Sequence, residues 1–393
     1  MSNSVATGLL TLPETAEAGR EERSLRHRKS RTAMVAQNLD MLLAYGPGWR
    51  RENVRYLSDA ELRGAASFVL LPMDGDPSAY STRHADVQEI LDSGWIVDAN
   101  HISLNEISAL ASHIRDKKAK RVGVAHLELL PFAFLNALKT ALPSTEFVSA
   151  TALMDDVRMV KSGWELSRMR RSGEVCAAGW KKFVEVLEPG MSEHHIVAHV
   201  ESELKKLGAE DNFMLIASGG DEVLGMTPPG LRKLERGDMV RTELTPRMDG
   251  YWLQICRSAV VGTPNDGQKR SFELFNEAVE AGLSVVKPGV TAHEVAMAEN
   301  DVFRRHGYGE YCSSQWTRVR GHGHGLHLDE SPIIEGNHTV LPEGSVFIIH
   351  PNTYTPLAGY HVLGDPVVVT ATGYEILIDT ERKLFFTDEG MQS

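Results

Sequence analysis

Two stretches of the chain repeat the same pattern. Residues 188–208 read EPGMSEHHIVAHVESELKKLG, and residues 287–307, which begin 99 positions later, read KPGVTAHEVAMAENDVFRRHG. Each copy has a Pro-Gly pair, a Ser or Thr suited to cap a helix, an amphipathic segment and a closing glycine. Because self-similarity at a fixed spacing indicates duplicated structural units, the pattern predicts two related halves around a pseudo-two-fold axis.

Each repeat is followed by a predicted strand that leads to a Gly-Tyr pair. The first strand pattern, residues 237–243, reads GDMVRTE, and the second, residues 344–350, reads GSVFIIH. Counted from the opening glycine, Glu243 and His350 occupy the same position. We therefore expect these two side chains to project into one cleft between the halves.

The densest cluster of ionisable side chains lies in residues 321–332, which read GHGHGLHLDESP. Histidine is the usual proton carrier near neutral pH and a frequent metal ligand, and glycine lets the backbone approach other groups closely. The cluster therefore predicts a functional site rather than a turn with solvated histidines. For His324 alone, a structural and a functional role are equally favoured.

Composition narrows the class of protein. A length of 393 residues predicts two domains. The net charge of −12, without a long basic run, argues against nucleic acid as a partner. There is no run of about 18 apolar residues, so no membrane span is expected. The cysteines, Cys176, Cys256 and Cys312, are too scattered for a disulfide framework, which favours a reduced, cytoplasmic protein.

The chain divides into three predicted regions. Residues 1–22, rich in Ala, Thr, Glu and Gly, are expected to form a flexible N-terminal arm. Residues 23–156 alternate short apolar runs with helical patterns, which predicts an α/β domain. Residues 157–393 contain the repeat and are expected to form the catalytic domain.

In this order, the motifs resemble those of the creatinase/prolidase family, whose pita-bread fold is shared with methionine aminopeptidase and aminopeptidase P. The resemblance is carried by NVRYL at 53–57, VKS at 160–162, the histidine cluster and HPNTYTPLAGYHVLGD at 350–365. It implies an α+β pita-bread catalytic domain behind an N-terminal α/β creatinase-like domain. It also implies a homodimer in which the first domain of one subunit closes the cleft of the other. Arg63 would then bind a substrate carboxylate or, equally favoured, form a surface ion pair.

Peptidases of this family hold two metal ions with two Asp, one His and two Glu. The matching positions in this chain are Glu243, Gln254, His322, His350 and Gly364. Only one carboxylate remains, whereas two dications need bridging carboxylates. The resemblance therefore implies no two-metal centre, and we expect no cofactor. The alternative is a single divalent metal on the two-His-one-carboxylate set of Glu243, His322 and His350.

The leading functional hypothesis follows from the metal-poor branch of the family, which includes creatinase and ectoine hydrolase. It is a metal-independent hydrolase of a C–N bond in a small polar nitrogen compound. Glu243 would act as nucleophile or general base, and His322 and His350 as proton shuttles or oxyanion stabilisers. Met226 stands where creatinase has its catalytic histidine, which argues against creatine as substrate. The expected substrate-binding residues are Arg63, Gln254, His327, Asp329, Glu330, Tyr360 and His361.

Two other classes of function remain open. One is a metal-dependent enzyme of the same fold, either an Xaa-Pro-type peptidase or a lyase acting on a small zwitterion. The other is a non-catalytic pseudo-peptidase that binds a ligand, against which the density of histidines argues. Cys256, two residues after Gln254, is either a nucleophile paired with a histidine or, more commonly for such a residue, a small buried hydrophobe.

Overall fold

The computed structural model describes residues 16–105 and 107–388. These residues form two compact units, the first ending at Val157 but including Ser162–Ser167, the second made of Arg158–Lys161 and the chain from Arg168 onward. Of the predicted N-terminal arm, residues 1–15 lie outside the described residues, and the rest lies in a helix. Among the described helices, none is long and apolar enough to cross a membrane.

The first unit is built on a six-stranded sheet of its described residues, in the order β4-β3-β2-β1-β5-β6. Its strands are β1 (Met41–Pro47), β2 (Ala66–Pro72), β3 (Ser78–Ser81), β4 (Asp98–His101), β5 (Arg121–Ala125) and β6 (Glu146–Ser149). Its helices are α1 (Ala16–Ala36), α2 (Glu52–Ser58), α3 (His84–Asp92), α4 (Ser108–Asp116), α5 (Phe132–Ala141) and α6 (Thr151–Met159), which runs into the second unit. β1 is buried throughout, as expected for a central strand covered on both faces. The predicted α/β domain is confirmed.

In its described residues, the second unit has two larger sheets and a two-stranded ribbon. Its helices are α7 (Gly163–Val186), whose first residues belong to the first unit, α8 (Glu193–Lys206), α9 (Asp266–Val285) and α10 (Ala292–Arg305). Its strands are β7 (Asp211–Gly219), β8 (Met239–Met248), β9 (Tyr251–Trp252), β10 (Ile255–Val260), β11 (Gly321–Gly323), β12 (Pro332–Ile333), β13 (Val346–Ile349), β14 (Thr353–Thr355), β15 (Gly359–His361), β16 (Asp365–Val369), β17 (Tyr374–Ile376) and β18 (Phe385–Phe386). One sheet has the order β18-β10-β8-β7 with β9 on β8, another β12-β11-β13-β16-β17, and β14 pairs with β15.

The two sequence repeats form α8 and α10. The Ser192 side chain caps α8 by accepting the His195 N–H, and Thr291 forms a capping box with Glu294 at the start of α10. β8, which comes after α8 and β7 in the chain, lies inside one sheet, and β13, which comes after α10, β11 and β12, lies inside the other. Glu243 lies in the middle of β8, and His350 comes directly after β13.

Alternation along β13 separates a core face from a site face. Ile349 packs with Phe275, Val295 and other residues of α9 and α10. Its neighbour Ile348 packs on the opposite face with Cys256 and other residues of a small buried cluster. Each buried aliphatic side chain contributes roughly 1.5–3 kcal/mol to folding, which fixes the position of β13. His350 follows directly after β13, on the side shared with Ile348.

Candidate active site

Strand register places Glu243 opposite Cys256. β8 and β10 are antiparallel, and Glu243 is the cross-strand partner of Cys256. Directly opposed residues share one face of a sheet, so both side chains line the same surface. The Asn352 side chain joins them, with its Nδ2 2.9 Å from Glu243 Oε1 and 3.6 Å from Cys256 Sγ. The structure thus brings a carboxylate, a thiol and an amide together.

The histidines form a second group. The His322 ring centroid lies 4.7 Å from that of His324 and 5.2 Å from that of His350. His322 Nδ1 is 3.2 Å from the Gly323 carbonyl oxygen, and its Nε2 is 3.3 Å from Asp329 Oδ1. Two residues predicted from separate motifs, His322 and His350, are therefore neighbours.

Burial sets the protonation of this site. Desolvation raises the pKa of Glu243 to about 7, although hydrogen bonds from Asn352 and Gln254 favour the ionised form. Desolvation also lowers the pKa of His322, and lowers those of His324 and His350 well below the ordinary value. Near neutral pH the site therefore combines neutral imidazoles with a carboxyl group that exchanges its proton readily, which suits general acid–base chemistry.

Cys256 fits the interpretation as a buried hydrophobe. Its side chain is fully buried, and burial together with the nearby Glu243 carboxylate raises the pKa of the thiol well above its ordinary value. The thiolate is the nucleophilic form of cysteine, and it is disfavoured in this environment.

Two residues expected to bind substrate are engaged elsewhere. Glu330 forms ion pairs with Arg158 at 2.9 Å and Lys161 at 2.8 Å, so both of its oxygens already face cations. His361 is fully buried with its ring stacked on Phe275 at 4.7 Å. These contacts assign Glu330 to an ion-pair network and His361 to the core beside α9, and their roles in substrate binding stay predictions.

The other residues of the second unit that were predicted to bind substrate differ in their burial. Gln254 and Tyr360 are buried, and the Tyr360 hydroxyl is 3.0 Å from Thr317 Oγ1. His327 is partly exposed and Asp329 is exposed.

Arg63 belongs to the first unit. Its side chain is exposed, and its backbone N–H donates to the Asp86 carboxylate. Its role in substrate binding, and the homodimer on which that role depends, stay predictions.

Asn352 was missed in the sequence analysis. The sequence signal was present, because His350-Pro351-Asn352 stands where the resemblance places the Glu-Pro-Gly motif of the peptidases. An asparagine at a position that is glycine in that motif adds a side chain with donors at the end of β13.

Comparison with known proteins decides the family. Residues 167–371 match the family described as Metallopeptidase family M24, and residues 26–160 match the Creatinase/Prolidase N-terminal domain. The chain belongs to metallopeptidase family M24. The Xaa-Pro dipeptidase of Pyrococcus horikoshii is 33% identical over 258 residues, covering 65% of this chain and 72% of that protein. The Xaa-Pro dipeptidase of Pyrococcus furiosus is 31% identical over 258 residues, covering 65% and 73%. The crystal structure of the Pyrococcus horikoshii prolidase superposes with a TM-score of 0.81 at 27% identity, covering 92% of this chain and 99% of that one.

Family membership confirms some predictions and corrects others. The creatinase/prolidase resemblance, the pita-bread fold and the assignment to hydrolases of C–N bonds are confirmed. The relatives reported above are named as Xaa-Pro dipeptidases, which does not support the narrower branch of creatinase and ectoine hydrolase. The expectation that the protein needs no cofactor is wrong, because the matched family is one of metallopeptidases.

The residues present do not fit the two-metal group of the family. A Cβ atom at Gly364 would lie 2.4 Å from His350 Cβ and 2.5 Å from the Ile349 carbonyl oxygen, so the backbone leaves no room there for a ligand side chain. Gln254 offers an amide where the family has a carboxylate. Across residues 16–105 and 107–388, no three His, Cys, Asp or Glu side chains are grouped closely enough to hold a metal ion.

The close packing at Gly364 predicts a large loss of stability for Gly364→Ala. Overpacking of a well-packed interior typically costs about 1–3 kcal/mol, and the clash here includes a backbone oxygen that cannot turn aside. The free energy of unfolding in urea measures the effect. Gly373→Ala is the matched control, because nothing lies within 4 Å of its added Cβ. Equal stability of the two variants would contradict the packing argument.

Proposed function

We propose that this chain hydrolyses a C–N bond in a dipeptide-sized substrate, as an Xaa-Pro-type dipeptidase. The observation that carries the proposal is the placement of the Glu243 carboxyl group, which accepts from Asn352 Nδ2 at 2.9 Å and whose pKa burial raises to about 7. A group of this kind can accept a proton from the attacking water and return it to the leaving nitrogen at neutral pH. The names of the relatives support the substrate class.

The neighbouring groups have distinct roles in this proposal. Ionised Glu243 takes a proton from water, whose oxygen attacks the carbonyl carbon, and protonated Glu243 then gives that proton to the departing nitrogen. Both ring nitrogens of His322 face acceptor oxygens, Nδ1 the Gly323 carbonyl and Nε2 the Asp329 carboxylate, so the neutral ring can donate to one of them and the imidazolium to both. Asp329, 3.3 Å from Nε2, would stabilise that imidazolium.

A second candidate is the hydrolysis of a small non-peptide nitrogen compound, such as an amidine or cyclic ureide. It is favoured by Gln254 and Gly364, which stand where the peptidases carry acidic ligands. Because the two candidates share Glu243, only the substrate distinguishes them.

The deciding experiment is an assay of the purified full chain on matched substrates. We expect Xaa-Pro dipeptides to release proline at least about tenfold faster than the corresponding Xaa-Ala dipeptides release alanine, since specificity of this size needs only about 1.4 kcal/mol. The assay is run on protein of measured metal content, with and without added Mn²⁺. Turnover of amidines or ureides alone, with none of the dipeptides, would reject the peptidase proposal in favour of the second candidate.

A variant purified in the same way is the control for contaminating peptidases in this assay. Glu243→Gln protein, purified in the same way, reports any proline released by a contaminating host peptidase. Activity that is equal in the two preparations would be assigned to the contaminant and would count against the proposal.

A further inference from the structure

We propose that Asn352 is a positioning residue, which holds the Glu243 carboxylate in the orientation that its chemistry requires. The expected loss of rate rests on the proposed function, whereas the placement of Asn352 beside Glu243 rests on the hydrogen bonds of the structure. Asn352 Nδ2 donates to Glu243 Oε1 over 2.9 Å, and the Asn352 side chain is almost fully buried. A buried hydrogen bond to a charged group is among the stronger kinds in proteins.

The Asn352 amide is itself fixed from the other side. Its Oδ1 accepts the backbone N–H of Leu363 at 3.1 Å, and its backbone carbonyl oxygen accepts from Arg320 Nη1 at 3.1 Å. An asparagine amide has one accepting and one donating end. Because Leu363 engages the oxygen end, the NH₂ end must face Glu243.

Gln254 supports the same carboxylate. It is buried, hydrogen-bonds to Glu243 and places its Nε2 3.6 Å from Cys256 Sγ. The Glu243 carboxylate therefore has two neutral amides as neighbours. Both donate N–H groups, so they restrain the rotation of the carboxylate without adding a second charge.

This arrangement departs from the motif of the family. The Glu-Pro-Gly motif ends in a residue without a side chain, whereas this chain has Asn352 there. Metal ions orient the equivalent carboxylate in a two-metal peptidase. In this chain the residues do not fit two ions, and the Asn352 N–H instead provides a fixed partner for Glu243.

The kinetic test compares Asn352→Ala with Asn212→Ala. Asn212 is a matched control, because its Nδ2 also donates to a glutamate, Glu201 Oε1, at 2.7 Å, at a partly buried position of the same unit. We expect Asn352→Ala to lower kcat about 10- to 100-fold with KM changed by less than about threefold, the pattern of a lost transition-state interaction. Asn212→Ala should keep the kcat of the unsubstituted protein. Equal kcat for the two variants would overturn the positioning role.

A second arm does not depend on any substrate. Asn352→Asp removes the donated N–H and places a second carboxylate beside Glu243, so the pair should bind a divalent cation more tightly. Titration with Mn²⁺, followed by electron paramagnetic resonance, should show an affinity at least about tenfold above that of the unsubstituted protein and of Asn212→Asp. Unchanged Mn²⁺ affinity would overturn the placement of residue 352 beside Glu243.

The kinetic and metal-binding experiments together distinguish failure of the proposed function from failure of the positioning role. Absence of turnover on every substrate, together with tighter Mn²⁺ binding by Asn352→Asp, would reject the proposed function and retain the placement of Asn352. Normal kcat in Asn352→Ala would reject the positioning role whatever the metal titration shows. Asn352→Ser serves for the kinetic arm if circular dichroism shows that the alanine variant does not fold.

Discussion

Glu243→Gln will lower kcat by roughly 10²–10⁴-fold, the range expected for loss of a positioned general acid–base group. Glutamine keeps the shape of the side chain and its acceptor oxygen for the Asn352 amide, but it cannot take a proton from water. The rate of proline release, measured under saturating substrate, gives the effect. Glu273→Gln, an exposed substitution on α9, is the matched control and should leave kcat unchanged.

The unfolding temperature of Glu243→Gln shows whether its loss of activity comes from lost chemistry or from unfolding. Burial raises the pKa of Glu243 to about 7, so at pH 8 the folded chain holds an ionised carboxylate at an unfavourable site. Glu243→Gln removes that cost and should unfold at a temperature equal to or above that of the unsubstituted protein at pH 8. Near-normal turnover in this variant would exclude Glu243 as base or nucleophile, and an unfolded variant would contradict the assignment of its effect to chemistry.

The second large effect is acid unfolding of the second unit, driven by buried histidines. Burial lowers the pKa of His361 from 6.5 to about 3, and lowers those of His322, His324 and His350 in the same direction. Below pH 6.5 the unfolded chain binds protons that the folded chain excludes. The stability is therefore complete above that pH and is lost as the pH falls toward the folded-state pKa. For His361 alone the loss is on the order of 5 kcal/mol, comparable with the whole stability of many domains.

His361→Phe isolates this contribution. Phenylalanine keeps a ring against Phe275 but cannot be protonated, so its unfolding free energy should fall less steeply between pH 7 and pH 5. Urea unfolding at several pH values measures the slope. His199→Phe, at an exposed position on α8, should keep the slope of the unsubstituted protein. Equal slopes in all three proteins would show that His361 is not the group that resists protonation.

Sequence reasoning succeeded where the determining contacts are local. The strands β1, β2 and β5 follow from short apolar runs, and the capping box of Thr291 and Glu294 depends on residues three positions apart. The proximity of His322 and His350 followed from the resemblance, because both residues stand at positions where the family's peptidases have ligands of one metal site.

The surroundings that the sequence did not reveal have long-range causes. Glu330 was expected to bind substrate, but its partner Lys161 lies 169 residues earlier in the chain. His361 was expected beside Tyr360 in the site, yet neighbouring residues of a strand point to opposite faces, and sequence does not say which face is the core. Asn352 was missed because its orientation depends on the Leu363 backbone across a turn. The cofactor expectation failed because it relied on residue identity at five positions, whereas the family as a whole is one of metallopeptidases.

The closed backbone at Gly364 also determines how easily this enzyme can be re-engineered. A saturation library at position 364 would return mostly glycine, because every other residue begins with a Cβ that overlaps His350 and Ile349. Directed evolution toward a two-metal peptidase would therefore stop at position 364, even with Gln254 already changed to aspartate. The productive first step is one that widens the gap between β13 and the segment before β16, after which a fifth ligand can be selected.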